Sequence, residues 1–118
     1  MSEWMYNKHG SARLILDDSR VRDSRGSVVG WLSGGNVYSL RGQHIGWFEG
    51  GVIYDSSNRA LAFVRDHSGY LPYLPGLGGL PGMPGFAGIP GRPGFSGTPG
   101  RPGYGGWSEH DADEYFCA

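Results

Sequence analysis

Residues 37–48 read VYSLRGQHIGWF, and the same pattern stands sixteen residues upstream as VRDSRGSVVGWL (21–32) and sixteen downstream as IYDSSNRALAFV (53–64). A fourth copy, MYNKHGSARLIL (5–16), completes the series with no insertion between units. Self-similarity at a fixed period marks a repeat architecture, and this unit is the length of one supersecondary element. Each copy opens on an apolar residue, usually followed by Tyr, and then by a turn former: Asn7, Asp23, Ser39 or Asp55. Three positions later stands Gly10, Gly26, Gly42 or Asn58, the residue types that accept φ > 0. The first of each pair can cap a turn with its side chain, and the second can take the left-handed position after a type I turn. An apolar stretch follows in every unit: 12–16, 28–32, 44–48 and 60–64. The pattern therefore predicts four β-hairpins, eight short strands and an all-β fold.

Residues two apart on a strand share a face. That rule groups Val29 with Trp31, Ile45 with Trp47 and Leu61 with Phe63, and a tight-turn register adds Val21, Val37 and Ile53. These nine residues are the expected core. Gly30, Gly46 and Ala62 fall on the opposite face, where small residues admit a close neighbour. The first unit places Arg13 and Ile15 at the core positions, so it is expected at the seam of a closed ring.

The unit V-Y-D-x-x-G-x-x-V-G-W, carried by Val21 to Trp31, Val37 to Trp47 and Ile53 to Phe63, resembles the bacterial four-fold beta-flower domain. The resemblance covers about residues 4 to 66. It implies a pseudo-fourfold ring of four short antiparallel hairpins and no established activity. The unit is more distantly similar to the strand repeats of Tubby-like domains, whose members bind phosphoinositides or membranes. No matching Lys/Arg constellation carries that property over to residues of this chain.

The chain has 118 residues, 23 of them Gly and 8 Pro, and these divide sharply. Nine glycines and no proline lie before residue 69, whereas fourteen glycines and all the prolines lie from residue 69 onward. The organisation is read as a four-hairpin domain over 1–68, a Gly/Pro-rich tail over 69–106 and an acidic aromatic segment over 107–118. From Gly76 to Gly106 a glycine stands at every third position, and Pro fills six of the ten third slots. A nine-residue superperiod shows in GFAGIPGRP, GFSGTPGRP and GYGG. Strict Gly-X-Y is the sequence of collagen-type polyproline II chains, in which only Gly fits at the crowded axis. Three arrangements follow: a trimeric triple helix, a polyproline II strand whose X stripe (Leu77, Leu80, Met83, Phe86, Ile89, Phe95, Tyr104) lies on a sheet, or a disordered tail.

In the terminal segment, Ser108 followed by Asp111 resembles a capping box, predicting a short helix near 109–116 with acids in its first turn. Such a helix presents Trp107, Tyr115 and Phe116 as candidate docking anchors.

Nothing in the chain forms a catalytic constellation, so no catalytic residue, cofactor or metal site is expected. Asp23 and Asp55 occupy equivalent turn-start positions, where capping accounts for them better than acid–base work. His9, His44, His67 and His110 lack ligand spacing, and Cys117 is a single thiol at the end of the sequence with no activating neighbours. The glycine runs contain no GK[ST] and so no phosphate loop. Ten Lys+Arg against eleven Asp+Glu leaves a formal charge of −1, which disfavours nucleic acid as a partner despite Arg25, Arg41 and Arg59 near the hairpin tips with Tyr38 and Tyr54 in their units.

No basic-then-apolar leader opens the sequence and no run is long enough to span a bilayer, so a cytoplasmic protein without a transmembrane segment is expected. The hairpin domain alone has a small core, which favours a homo-oligomer or a docked tail. The functional expectation is a non-enzymatic structural or interaction module whose tail and terminus mediate self-association or protein docking. The alternative is a lipid or membrane-surface binder resting on Trp31, Trp47, Phe48 and Phe63.

Overall fold

The computed structural model describes residues 2–117, with the side chain of Cys117 excepted. Eight strands form a closed antiparallel barrel in sequential order: β1 (Ser2–Tyr6), β2 (Ala12–Asp17), β3 (Arg20–Asp23), β4 (Val28–Ser33), β5 (Asn36–Ser39), β6 (His44–Glu49), β7 (Val52–Tyr54) and β8 (Ala60–Val64). The seam is a short pairing of β1 with β8, Met5 opposite Val64 and Tyr6 opposite Phe63, and Arg13 of the first unit is exposed. Closure leaves an open edge only at this short seam, where Ala60 of β8 bridges Trp107 of the terminal segment.

The wide turns between β1 and β2, β3 and β4, β5 and β6, and β7 and β8 lie at one end of the barrel. Their geometry repeats: Gly10, Gly26, Gly42 and Asn58 have φ of 78°, 93°, 91° and 59°, and each donates its N–H to the carbonyl of Asn7, Asp23, Ser39 or Asp55. The side chains of those four residues cap the same turns. Oδ1 of Asn7, Asp23 and Asp55 each accepts two backbone N–H groups, while Ser39 Oγ accepts that of Gln43. At the opposite end, Gly34-Gly35 and Gly50-Gly51 take φ > 0 at both positions, the requirement of a two-residue type I′ turn.

The single-face assignment of the core does not hold. The ladder shifts register between Val21 and Arg22, Val37 and Tyr38, and Ile53 and Tyr54, the mark of a β-bulge in each of these hairpins. One extra residue reverses the alternation on the far strand. Val21, Val37 and Ile53 consequently pair with Gly30, Gly46 and Ala62, and those pairs face the barrel interior with Met5, Leu14, Leu32 and Val64. The bulge residues Val29, Ile45 and Leu61 also pack on that inner cluster. Trp31 and Phe63 belong to separate outer clusters, and Trp47 is likewise buried. Of the nine expected core residues, only Val29 and Ile45 are more than marginally exposed.

A six-residue helix, α1 (Ala112–Cys117), begins three residues later than the sequence suggested. Asp111 caps it, its Oδ1 accepting the Ala112 N–H at 3.0 Å, whereas Ser108 spends its hydroxyl proton on buried Asp55. Phe116 fills the space that Gly30 leaves, since a Cβ at Gly30 would stand 2.7 Å from the Phe116 ring. Among the described residues no helix is long and apolar enough to cross a membrane.

Candidate functional site: a belt around the barrel

Residues 73–105 carry neither helix nor strand, yet they are docked. Ten triplets laid straight would span roughly 90 Å at about 3.1 Å per residue. The molecule measures 37 × 37 × 23 Å, so the tail must curve, and its contacts trace a course around the turn-bearing rim. The N–H groups of Gly78, Ala87, Ser96 and Gly105 donate to the carbonyls of Gly10, Gly26, Gly42 and Asn58 at 2.9, 3.1, 2.9 and 3.1 Å. Donors recur every nine residues and acceptors every sixteen, so one nonapeptide of the belt serves one petal of the ring.

This register explains the composition of the third slot of each triplet. Pro occupies it at 81, 84, 90, 93, 99 and 102, and the four exceptions are Gly78, Ala87, Ser96 and Gly105. Those four are the donors, and proline has no N–H to give. The preceding residues repeat as well: Pro75-Gly76-Leu77, Pro84-Gly85-Phe86, Pro93-Gly94-Phe95 and Pro102-Gly103-Tyr104. Each places a large side chain against the petal's second residue or its cluster. Leu77 packs on the cluster that holds Tyr6, and the Arg22 guanidinium lies 4.3 Å over the Phe86 ring. Phe95 stacks on Tyr38 at 3.9 Å and 3°, and Tyr104 tilts against Tyr54 at 5.3 Å.

The turn glycines are constrained twice. Their φ is left-handed, and a Cβ at Gly10, Gly26 or Gly42 would collide with the carbonyl oxygen of Gly76, Gly85 or Gly94. The fourth petal replaces that close approach with side-chain chemistry. Asn58 Nδ2 donates to Pro102 O at 2.8 Å, and Asn58 Oδ1 accepts from Arg101 Nε at 2.9 Å. Arg101 also pairs with Glu49 at 3.1 Å, and the Tyr104 hydroxyl donates to the same carboxylate. The hydrogen bond from Tyr104, with Arg101 opposing the effect of burial, holds Glu49 below the usual carboxylate range. Burial, with Tyr104 and Glu49 nearby, pushes the Tyr54 phenol up to about 12.

At the second petal, Arg22 is buried and holds two carbonyls at once, Gly26 at 2.7 Å and Ala87 at 2.9 Å. Its Nε reaches Asp17 at 2.8 Å. Burial opposes the charge on Asp17, but hydrogen bonds from Arg22 and Arg20 outweigh it and keep that carboxyl below its ordinary value.

The terminal segment straddles the seam between the first and fourth petals. Ala60 donates to Gly106 O and accepts from Ser108 N, Ser108 Oγ bonds Asp55 at 2.7 Å, Lys8 reaches Ser108 O, and Asn7 Nδ2 reaches Asp111 at 2.9 Å. Trp107 packs against Phe63 and Tyr73, and the Tyr115 hydroxyl bridges Ile45 O and Ser56 N. The three anchors Trp107, Tyr115 and Phe116 thus meet the chain's own barrel. A cavity of about 620 Å³ remains between α1 and the third turn, bordered by Leu40, Arg41, Gln43, Tyr115 and Phe116.

No acid–base or metal centre emerges among the described residues. Asp23 and Asp55 spend Oδ1 on their own turns, and no group of three His, Cys, Asp or Glu could hold a metal. His44 bonds Asn36 Oδ1 at 3.0 Å, with burial lowering its pKa, and His67 bonds Val64 O. Trp31, Trp47 and Phe63, three of the four aromatics behind the lipid alternative, are buried, and Phe48 packs on the inner cluster.

No curated protein and no solved structure matches the chain. A family model described as the 4-fold beta flower protein matches residues 3–116, well beyond the 4–66 span of the hairpin repeat and through the belt and α1. A closed ring of four like hairpins and a match over nearly its whole length place the chain in one family: it belongs to the 4-fold beta flower proteins.

Proposed function

We propose that this domain is a non-enzymatic interaction module in which the barrel is a mount and the belt, held in polyproline II form, is the surface offered to protein partners. The family is not a known enzyme family, in keeping with that reading. The observation that carries it is the register itself. Nine residues per petal dock one X position in three, apart from Arg101 at the fourth petal, which is also tied down, and the intervening Leu80, Met83 and Ile89 are left 55%, 46% and 53% exposed, with the docked Phe86 itself 39% exposed. Large apolar side chains held outward on a rigid frame are what partner surfaces use, because the ordering cost has been met before binding. The acidic aromatic segment acts here as the latch that closes the belt over the seam.

The test is photo-crosslinking in living cells with a reactive residue introduced into the full chain at Leu80 or Ile89, and at exposed Arg25 as the control. Protein adducts are expected from the belt positions and not from Arg25. Absence of protein adducts at both belt positions removes the reading.

A further inference from the structure

We infer that the cavity between α1 and the third petal is a binding site for a small apolar zwitterion, an amino acid or a short free peptide. The site arises from a mismatch of symmetry. One helix sits on a ring of four petals, and three of them hold the terminal segment: Asn7 binds Asp111, Asp55 binds Ser108 and Gly30 seats Phe116. At the third petal the turn-start residue is Ser39, whose hydroxyl is spent on the Gln43 N–H. Among the described residues only the Tyr115 hydroxyl, held between Ile45 O and the Ser56 N–H, hydrogen-bonds across to this petal. What remains open is about 620 Å³, room for about twenty waters and within the size range of small-molecule sites.

The third petal departs from its siblings at this cavity. Leu40 stands where the other units have Lys8, Ser24 and Ser56, and Gln43 where they have Ser11, Ser27 and Arg59. Both line the open space. Leu40 is 44% exposed at a hairpin tip and joins none of the hydrophobic clusters among the described residues, so the chain's own packing does not call for it. Its backbone is nevertheless held, because Trp31 Nε1 donates to Leu40 O at 3.3 Å. With Ile45, Tyr115 and Phe116 it forms an apolar wall. Two opposite charges flank that wall on different elements, Arg41 on the turn and Glu114 on α1. Among the described residues neither side chain is in an ion pair, with the other or with any third group. A guanidinium offers a carboxylate a bidentate contact and a carboxylate accepts an ammonium, so the pair selects a ligand that carries both groups on an apolar body. A simple anion would meet Glu114, and a simple cation would meet Arg41.

The experiment titrates the full chain with L-phenylalanine, with the dipeptide phenylalanyl-leucine and with N-acetyl-phenylalanine amide, read by calorimetry and by amide chemical shifts. At least one of the two zwitterions is expected to bind in the millimolar range or tighter and to shift the amides of Leu40, Gln43 and Tyr115. Which of the two binds better separates a free amino acid from a peptide as the source of the ligand. Blocking both charged ends is expected to weaken binding by about tenfold or more, the worth of a charge-assisted contact. Arg41→Gln should weaken binding of the zwitterion but not of its C-amidated form, and Glu114→Gln should weaken it but not its N-acetylated form. Both side chains are exposed, so the melting temperature is expected to stay unchanged. Failure of both zwitterions to bind overturns the proposal, as does a doubly blocked ligand that binds equally well, or an affinity that either substitution leaves unchanged.

Discussion

Barrel and belt each repeat four times, but glycine does different work in the two. In the barrel, Gly26 and Gly42 sit at left-handed φ with a belt carbonyl pressed against the Cα, so both the backbone angle and the space exclude a side chain. In the belt, the glycines at every third position from Gly76 to Gly103 have ordinary φ and no neighbour within 4 Å of a would-be Cβ. One set of glycines is fixed by the fold of the single chain. The other is free of it, since nothing within the chain fills the space that a side chain would take.

The contrast can be broken most forcefully at a turn. Gly26→Val forces a β-branched residue to φ 93° and drives the belt off the second petal, with an expected loss of about 3 kcal/mol in chemical denaturation. Ala87→Pro attacks the same clamp from the other side by deleting the N–H that Gly26 O accepts. It should cost about 1.5 kcal/mol through loss of that hydrogen bond, since Gly26 O keeps the Arg22 guanidinium as a donor and Pro90 in the next triplet shows that the slot itself tolerates the ring. Phe95→Ala removes the ring stacked on Tyr38, worth about 1 kcal/mol beyond lost burial, and should speed amide exchange at Ser96 more than at Gly78.

A gentler probe is pH. Glu49 and Asp17 have depressed folded pKa values, so their stabilisation is present above the unfolded values of 4.5 and 3.8 and is lost as pH falls through the lower folded ones. Tyr54 is raised, so its contribution is complete below 10.0 and is lost as pH rises toward about 12. The expected result is a melting temperature that falls on both sides, with Tyr54→Phe flattening the alkaline limb. The smallest effect belongs to the belt glycines: Gly88→Ala should leave stability within about 0.5 kcal/mol of wild type, or raise it slightly by restricting the unfolded chain. A large loss there would erase the distinction between the two sets.

Much of this was legible in the residues. The sixteen-residue period, the capping roles of Asn7, Asp23, Ser39 and Asp55 and the left-handed set ending in Asn58 follow from turn chemistry alone. Face assignment failed because alternation counts every residue once, and a bulge after Val21, Val37 and Ile53 inserts one that the sequence does not flag. The glycine pairs at 34–35 and 50–51 were available as hairpin signals for the other end. The belt's course was hidden for a deeper reason. A Gly-X-Y strand makes no hydrogen bonds of its own, so nothing local says what it lies on. The signal that could have found it is the coincidence of four: four breaks in the proline slot and four Pro-Gly-X steps ending in Leu or an aromatic, against four hairpins.

That pairing of unequal lengths restricts how the gene can change. The sequence separation between a turn carbonyl and its belt donor shrinks steadily, from Gly10 and Gly78 through Gly26 and Ala87 and Gly42 and Ser96 to Asn58 and Gly105, because the belt travels around the ring in the same sense as the petals but in shorter steps. Duplicating a hairpin would leave one carbonyl unserved, and duplicating a nonapeptide would leave one donor without a petal. The copy number of either repeat can alter only if a second, distant stretch of the coding sequence alters with it, so the count of four is inherited as a matched pair.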